Sequence, residues 1–293
     1  MLNKNDKVAI IAPAAQFCNA DRILLQQSID LLESWSLQVE VFVEESHHFY
    51  LAGTDQQRQQ HLNAVLTDPN IKAIFCTRGG YGSARLLAGL PDSTTVNSKM
   101  LIGCSDISAL HLAMATSYPQ VQCIHGPNVA TKQLLSGSES AIHNQKSLYD
   151  CLFVTQQASY NLQFITPGKT TGKLIGGCLS LISTAIGTPC FPNLSGSILL
   201  IEDVGEAPYK IDRMLQHLIN TGLTAGLKGI VFAEMHNCTD PYNDLKAIIH
   251  DLFCSYDLPI GFGLTTGHGL INNSIPLNST AILDSEKGTF SIQ

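Results

Sequence analysis

The chain has 293 residues, enough for one large α/β unit or for two domains of ordinary size. Hydrophobic residues make up 44% of it and charged residues 14%, so the sequence can build a substantial core. A formal net charge of -7 with no basic block excludes bulk electrostatic binding to nucleic acid or to an anionic membrane, but it does not exclude a local anion site.

The nine cysteines are scattered, and the sequence contains no C-x-x-C pair and no cysteine–histidine spacing typical of zinc sites. This pattern favours reduced, buried thiols in a reducing compartment over a disulfide framework or a metal site. The opening "MLNKNDKVAIIAPAA" has an apolar run too short for a signal-peptide core or a membrane span. We therefore expect a cytoplasmic, soluble protein.

Strands and helices alternate through the first half of the chain. Nearly continuous apolar runs predict buried strands at "KVAIIAPA", "QVEVFV", "IKAIFC", "KMLIGC" and "VQCIH". Helical spacing appears in "ADRILLQQSIDLLESW", in "TDQQRQQHLNAVLTD" with Thr54 as the predicted N-cap, and again after the third and fourth strands. This alternation predicts a parallel sheet covered on both faces, in an N-terminal α/β domain over residues 1–152.

The pattern changes after about Leu152. The polar stretch 153–170 has no helical period and contains a proline, so we predict a linker there. In residues 171–293, "KLIGGCLSLISTAIGTP" predicts a strand turning into a helix, and "SGSILLIEDVGEAPYKIDRMLQHLINTG" predicts a strand, a loop and an amphipathic helix. Short strands and turns follow to the end, which predicts a C-terminal α+β domain rich in β-structure.

Two loops at predicted strand ends are candidates for a ligand site, because ligands of parallel α/β sheets bind beyond the carboxyl ends of the strands. The first is "TRGGYGSA", in which three glycines between Arg78 and Ser83 let the backbone approach a ligand and expose its N–H groups. Neither the P-loop pattern nor the G-x-G-x-x-G dinucleotide pattern fits it. The alternative is a βα turn that needs glycine only for tight packing.

The second loop, "LIGCSDISAL", resembles the start of a G-x-S-x-G nucleophile elbow, with Ile107 where the second glycine would stand. A tight strand-to-helix turn would project the Ser105 hydroxyl into the cleft and direct the backbone N–H of Asp106 towards the same space. Such an N–H can serve as an oxyanion donor. The alternative is that Ser105 or Asp106 only caps a helix over 106–116.

A serine nucleophile needs a base, usually a histidine that a carboxylate orients. Among ten histidines, His268 is distinctive because a glycine flanks it on each side in "TTGHGLIN", although an ordinary turn histidine is the alternative. The predicted strand "LLIE" ends in Glu202, and Asp203 follows it, either as a second candidate acid or as the cap of a helix from about Pro208. Ser105, Glu202 and His268 follow the chain order of α/β-hydrolase triads.

Five motifs occur in order along nearly the whole chain: "RGGYG", "LIGCSDIS", "HGP" at 125–127, "IEDVGEAPYKIDRML" and "GHG". Together they resemble the LD-carboxypeptidase family of serine peptidases, whose members include murein tetrapeptide carboxypeptidases and microcin C self-immunity peptidases. The resemblance implies an N-terminal three-layer α/β domain, a C-terminal β-rich domain and an active site between them.

By position, the resemblance places the nucleophile on Ser105, the acid on Glu202, the base on His268, and the oxyanion donors on the backbone N–H groups of Gly80 and Asp106. It implies a cytoplasmic serine carboxypeptidase that releases the terminal D-alanine of a murein tetrapeptide in peptidoglycan recycling. The implied substrate is a small peptide, the implied assembly is a homodimer, and no metal or organic cofactor is implied.

One position departs from the family pattern: Cys178 follows two glycines where members commonly have asparagine, whose amide is the stronger hydrogen-bonding group. This exchange bears on substrate preference. We reject Cys104 as the nucleophile, because that position varies in the family. Arg78 and Arg213 are the cations closest in sequence to the catalytic loops, and each is a candidate either for binding a substrate carboxylate or for a surface ion pair.

Three rival functions remain at this point. A microcin C immunity-type peptidase would cleave an aminoacyl-nucleotide toxin and would benefit from an aromatic platform for the nucleobase, but the only tryptophan, Trp35, lies in an early predicted helix. A non-catalytic protein would bind a small anionic ligand at the glycine loop. A general esterase is the third.

Overall fold

The computed structural model describes residues 1–16, 19–43, 47–154 and 158–293. The apolar runs of the first half form five parallel strands of one sheet, ordered β5-β4-β3-β1-β2. Their bounds are β1 (Lys7–Ile11), β2 (Gln38–Phe42), β3 (Ile71–Cys76), β4 (Lys99–Gly103) and β5 (Val121–His125).

Helices cover both faces of this first sheet. Because side chains alternate along a strand, Ile10 of β1 packs in one core cluster with Leu32 and Leu148, whereas Ile11 packs in another with Leu62. The result is a three-layer arrangement. The helices are α1 (Asn19–Ser34), α2 (Asp55–Thr67), α3 (Ser108–Ser117), α4 (Lys132–Leu135) and α5 (Glu139–Phe153).

Helix α2 begins at the predicted N-cap. The N–H of Gln57 donates to Thr54 Oγ1 at 3.2 Å, and the N–H of Thr54 donates to Gln57 Oε1 at 2.9 Å. This capping box satisfies two N–H groups that the helix itself leaves unpaired. The segment after the glycine loop, by contrast, forms a 3-10 helix over Ser83–Gly89 and not an α-helix. Pro91 follows closely and prevents its extension.

The second half forms a mixed sheet of eight strands, ordered β6-β14-β13-β8-β9-β10-β11-β7. The four strands β8 to β11 are parallel, and the others pair antiparallel at the two sides. The strands are β6 (Ser159–Asn161), β7 (Gln163–Thr166), β8 (Lys169–Cys178), β9 (Ser197–Glu202), β10 (Gly229–Ala233), β11 (Ile260–Leu264), β13 (Thr280–Asp284) and β14 (Thr289–Ile292). The remaining strand, β12 (Ile275–Pro276), pairs antiparallel with β5 of the first sheet.

Three helices pack on one face of the second sheet: α6 (Leu179–Ala185), α7 (Pro208–Asn220) and α8 (Leu245–Phe253). Helix α7 buries Ile211, Leu215 and Leu218, the apolar stripe that its sequence predicts. The core cluster that contains Ile11 is continuous between the two sheets, since Leu110 of α3 belongs to it together with Leu200 of β9. The carboxyl ends of β4 and β9 can therefore supply side chains to a common site.

The predicted fold class, a parallel-sheet α/β half followed by a β-rich α+β half, is confirmed. The division at 152 and 171 stays a prediction. The stretch 153–170 contains β6 and β7, and β12 crosses back to the first sheet. Within the described residues, no helix is long and apolar enough to span a bilayer.

Candidate active site

Ser105 occupies a strained turn between β4 and α3. Cys104 is extended, Ser105 has a φ of +63°, and a single 3-10 turn over Ser105–Ile107 leads into the helix. A left-handed conformation costs a residue with a β-carbon about 1–2 kcal/mol. Such strain is typical of a serine presented at a sharp strand-to-helix elbow, as the sequence predicts.

The alternative that Ser105 or Asp106 caps the helix is wrong. Among the described residues, none places a side-chain hydrogen bond on the cap of α3. The buried Asp106 carboxylate instead accepts from the N–H of Ser83 at 2.8 Å, and the Asp106 carbonyl accepts from the Ser83 hydroxyl at 2.5 Å. Burial raises the pKa of Asp106 above its ordinary value, although the bonds from Ser83 oppose the shift. These contacts fasten the glycine loop to the nucleophile turn.

The glycine loop lies directly against Ser105. A β-carbon on Gly79 would stand 2.7 Å from Ser105 Cβ and 2.9 Å from its Oγ. Gly80 has a φ of +102°, and a β-carbon there would stand 2.5 Å from Ala15 Cβ. Glycine at 80 thus serves the loop's own conformation and its packing on Ala15, while glycine at 79 leaves room for the serine hydroxyl.

His268 and Glu202 form a close pair. His268 Nδ1 lies 2.6 Å from Glu202 Oε2, at the carboxyl end of β9, and the Glu202 side chain is only 1% exposed. Gly267 has a φ of +94°, and a β-carbon on it would stand 2.4 Å from the same carboxylate oxygen. Glycine at 267 is therefore needed for Glu202 to come this close to the loop. Because Nδ1 contacts Glu202, the other ring nitrogen of His268, Nε2, can act as the base.

Opposing effects act on the pKa of His268. Burial alone would lower its pKa, but the hydrogen bond from the ring to Glu202 and the charges of Glu202 and Asp203 outweigh burial. The net effect raises the pKa of His268 above its ordinary value of 6.5. A base with this pairing can take a proton from a hydroxyl and stabilise the imidazolium that results.

Ser105 and His268 line one cleft of about 520 Å³, although they come from different sheets. Gly79 and Gly80 form part of the same wall, and so does Arg78. A larger cavity of about 580 Å³ lies beside α5 and β14 and contains neither of the two candidate catalytic side chains. The smaller cleft is therefore the candidate active site.

Cationic side chains line this cleft, which suits an anionic group on a substrate. Arg78 is one of them, and its Nη1 donates to the Gln16 carbonyl at 3.4 Å. Lys132, the first residue of α4, is a second, and sequence reasoning missed it. Arg213, the other cation proposed from the sequence, lines a separate surface depression with Asp212 on α7.

Two amide side chains hold the loop that carries His268. Gln133 Nε2 donates to the carbonyl of Gly267 at 2.9 Å and to that of Gly269 at 2.6 Å, so it contacts the backbone on both sides of the histidine. Asn272 accepts from the N–H of Gly267 at 2.9 Å and donates to Gln133 Oε1 at 3.0 Å. This network ties a loop of the second half to α4 of the first half.

Two further amides were also missed by sequence reasoning. Asn144 of α5 accepts from the N–H of Asn272 at 2.8 Å and donates to the Gln133 carbonyl at 2.9 Å. Asn128 holds the nucleophile turn, because its Oδ1 accepts from the N–H of Cys104 at 3.3 Å. The only local signal for any of them is that Asn128 directly follows the "HGP" motif.

Asp203 holds a backbone N–H group at the start of α6, and it does not cap the helix that follows it in the sequence. Its carboxylate accepts from the N–H of Ser180 at 2.9 Å and from that of Val204 at 2.8 Å. It therefore fixes the start of α6, and the alternative that Asp203 caps the helix from Pro208 is wrong. That helix has Ala207 at its N-cap position, without a side-chain hydrogen bond.

The two cysteines of the site region are buried thiols. Burial, and then the charge of Glu202, raise the pKa of Cys104 to about 12, so this thiol is neutral and a poor nucleophile. Burial likewise raises the pKa of Cys178, whose Sγ lies 3.1 Å from Ser180 Oγ. Within the described residues, no group of three or more His, Cys, Asp or Glu side chains could hold a metal ion.

Comparisons with known proteins show the family of this chain. Family models of the LD-carboxypeptidase N-terminal and C-terminal domains match residues 8–126 and 171–283. A probable murein peptide carboxypeptidase of Bacillus subtilis is 33% identical over 100% of this chain and 93% of its own length. The chain belongs to the LD-carboxypeptidase family.

Other relatives extend the match. The murein tetrapeptide carboxypeptidase of Pseudomonas aeruginosa is 31% identical over 96% of this chain and 94% of its own length. The crystal structure of muramoyltetrapeptide carboxypeptidase from Oxalobacter formigenes has a TM-score of 0.85 and 26% identity, covering 98% of this chain and 97% of that one. The microcin C7 self immunity protein MccF has a TM-score of 0.89 at 20% identity, over 100% of this chain and 97% of that one, and it shares the fold.

These matches identify this member of the LD-carboxypeptidase family as an enzyme, a carboxypeptidase, as the motifs predict. They disfavour the non-catalytic binding protein. The roles of Ser105, Glu202, His268, Gly80 and Asp106 remain predictions, and the site geometry above is what supports them.

Proposed function

We propose that this carboxypeptidase is a serine enzyme that releases the terminal D-alanine of a murein tetrapeptide. The observation that carries the proposal is the Glu202–His268 pair, 2.6 Å apart, in one cleft with a serine held at a φ of +63°. A nucleophile, a base and an orienting carboxylate are the parts that acyl transfer needs. The murein substrate rests on the names of the relatives from Bacillus subtilis and Pseudomonas aeruginosa.

The reaction follows from these parts. His268 Nε2 takes the proton of the Ser105 hydroxyl as Oγ attacks the scissile carbonyl, and the carbonyl oxygen becomes an oxyanion. The N–H groups of Gly80 and Asp106 donate to that oxyanion; one such donor is worth about 10²–10³ in rate. Protonated His268 then gives its proton to the leaving amine. Water, deprotonated by the same histidine, hydrolyses the acyl-enzyme and restores Ser105.

Glu202 keeps His268 in the tautomer that this cycle requires. Its Oε2 accepts from Nδ1–H, so the neutral ring presents an unprotonated Nε2. An exopeptidase must also bind a terminal carboxylate, and Arg78 and Lys132 line the cleft with the required charge. These cations support an enzyme that removes one residue from the carboxyl end.

The immunity-type peptidase is the second candidate, and the resemblance of the fold to MccF is its support. A nucleobase would need an exposed aromatic platform in the cleft. Trp35 instead packs against Tyr149 and Phe153 of α5, with ring centroids 5.5 Å and 6.3 Å apart. This packing favours the murein peptide as the substrate.

We also propose a cytoplasmic location and a homodimer. Eight cysteines of the described chain are free thiols, which suits a reducing compartment. The homodimer rests on the family resemblance. Light scattering during gel filtration at several protein concentrations tests it, and a mass of one chain at all of them overturns it.

The substrate proposal is tested by incubating the purified wild-type chain with murein tetrapeptide and, separately, with aspartyl sulfamoyl adenosine. Mass spectrometry should show loss of one alanine from the tetrapeptide and an intact nucleoside. A Ser105→Ala chain, checked for its fold by circular dichroism, is the matched control and should leave both unchanged. Cleavage of the nucleoside with an intact tetrapeptide would overturn the proposal in favour of the second candidate.

A further inference from the structure

The second oxygen of the Glu202 carboxylate has an unusual environment. Oε2 contacts His268, whereas Oε1 is buried without a hydrogen-bond partner among the described residues. His125 is a candidate donor, since its Nε2 lies 3.9 Å from Oε1. Both ring nitrogens of His125 are likewise buried and unpaired within the described chain. Buried polar atoms are normally hydrogen-bonded, so two facing unpaired atoms call for an explanation.

Strand register and close packing place His125 beside Glu202. It is the last residue of β5, and it lies opposite Gly103, two residues before Ser105, in the parallel pairing of β4 with β5. A β-carbon on Gly177 of β8 would stand 3.7 Å from His125 Nδ1 and 2.4 Å from Ser108 Oγ. The absence of a side chain at Gly177 therefore lets β8 pass close to the His125 imidazole and to Ser108.

The ring is neutral at physiological pH. Burial lowers the pKa of His125 to about 4, and the charge of Glu202 only partly opposes this. A neutral imidazole carries one N–H, and the other nitrogen has no proton to give. With the proton on Nε2, the ring offers a donor to Oε1 without placing a second cation in the site.

We propose that His125 is a positioning residue that donates its Nε2–H to Glu202 Oε1, so that the carboxylate is held by a histidine on each side. The hydrogen bond forms when the atoms approach by about 1 Å from their present separation, to the usual N–H···O range. This inference rests on the proposed function of Ser105, Glu202 and His268. It also assigns a task to the "HGP" motif, which the reaction above does not use.

Other titratable groups also surround the pair. Cys104 and Cys178 face Glu202 as thiols whose pKa is raised, and Asp203 adds a negative charge. His111 of α3 lies behind His125, with ring centroids 6.4 Å apart, and burial lowers its pKa to about 4 as well. Among these groups, His125 Nε2 lies 3.9 Å from Oε1, and His268 Nδ1 lies 2.6 Å from Oε2.

Three variants separate positioning from packing. His125→Leu removes the N–H donor and fills its place with an apolar side chain of similar size. His125→Gln keeps an N–H donor near the place of Nε2. His111→Leu makes the same exchange at the neighbouring buried histidine, which does not reach Glu202, and serves as the matched control.

We expect His125→Leu to lower kcat about tenfold to a hundredfold with little change in KM, the range for loss of a hydrogen bond to a charged group. Without its donor the ionised carboxylate pulls more strongly on the proton of His268. The acid limb of the kcat/KM profile should therefore move up by about 0.5–1 pH unit. His125→Gln should stay within about threefold of wild type in kcat, and His111→Leu should keep the wild-type profile.

The labelling rate of Ser105 by a fluorophosphonate gives a second readout that does not depend on the natural substrate. It should fall in His125→Leu and not in His111→Leu, with all chains folded by circular dichroism. Wild-type rate and profile in His125→Leu, or the same loss in His111→Leu, overturns the inference. If Ser105→Ala retains turnover, the proposed function itself fails, which is a separate result.

Discussion

Gly79 lies so close to Ser105 that a β-carbon on the glycine would stand 2.7 Å from the serine Cβ and 2.9 Å from its Oγ. The two residues come from the ends of adjacent parallel strands, β3 and β4. The glycine loop therefore lies directly beside the nucleophile. The alternative, a βα turn that needs glycine only for tight packing, does not describe this contact with the Ser105 hydroxyl.

This contact predicts the effect of Gly79→Ala. The added carbon must displace the Ser105 side chain or the loop, so we expect kcat/KM to fall at least about a hundredfold, as for a misplaced reacting group. Gly89→Ala is the control, since the three atoms nearest to its added carbon belong to the flexible Gln59 side chain. This variant should keep turnover near wild type. Steady-state kinetics of both variants measure this. Equal activity in the two would show that the serine tolerates the carbon.

The Glu202–His268 pair predicts a pH dependence with a definite sign. The base must be unprotonated, so activity falls as the pH drops through the pKa of His268, which is raised above 6.5. In Glu202→Gln the burial that lowers this pKa remains, the hydrogen bond and charge of Glu202 that raise it are lost, and only the charge of Asp203 still raises it. An NMR titration of the His268 ring should then show a lower pKa than in wild type.

The same substitution predicts a large rate effect. The glutamine amide can donate to Nδ1 and favour the tautomer with the proton on Nε2, which cannot accept from Ser105. We expect kcat to fall by about 10⁴, as in a comparable triad. An unchanged or higher ring pKa in Glu202→Gln would contradict the pairing, whatever the rate.

Gln133 should act on the rate through the His268 loop. Gln133→Ala removes the donor to the carbonyls of Gly267 and Gly269, and we expect kcat to fall about tenfold with KM nearly unchanged. Gln145→Ala is the matched control, because Gln145 also donates to a backbone carbonyl, that of Leu134, away from this loop. Equal loss of activity in the two variants would contradict the positioning of the His268 loop by Gln133.

Arg78 should act on substrate binding. If it pairs with the terminal carboxylate, Arg78→Ala should raise KM about fivefold, the effect of an ion pair worth about 1 kcal/mol. Arg213→Ala, in its separate depression, should leave KM unchanged. A KM of wild-type size in Arg78→Ala would remove this residue from carboxylate binding and leave Lys132 as the candidate.

Much of the fold could be predicted because its signals are local. The apolar runs of β1 to β5 predict buried parallel strands, and the stripe of α7 predicts its packed face. Strand β12 could not be predicted, since two residues have no period. Its place next to β5 is decided by the tertiary fold.

In the candidate site, too, residues with a local sequence signal could be predicted and residues placed by the tertiary fold could not. Ser105 and His268 are each marked by neighbouring residues, a strand end or flanking glycines, so sequence reasoning could select them. Gln133 and Asn144 contact the His268 loop from more than 120 residues away, and nothing beside them in the sequence indicates this. The task of Asp203 could not be predicted for the same reason, because its partner Ser180 belongs to an earlier helix.

The most direct test of the central claim is to label the wild-type chain with a fluorophosphonate and to locate the adduct by peptide mass spectrometry. We expect one adduct, on Ser105, whose formation slows in His268→Ala and below the pKa of the histidine. Cys104, a neutral thiol, should carry none. A stable adduct on another residue, or labelling of Ser105 at an unchanged rate in His268→Ala, would contradict the Ser105–His268–Glu202 assignment.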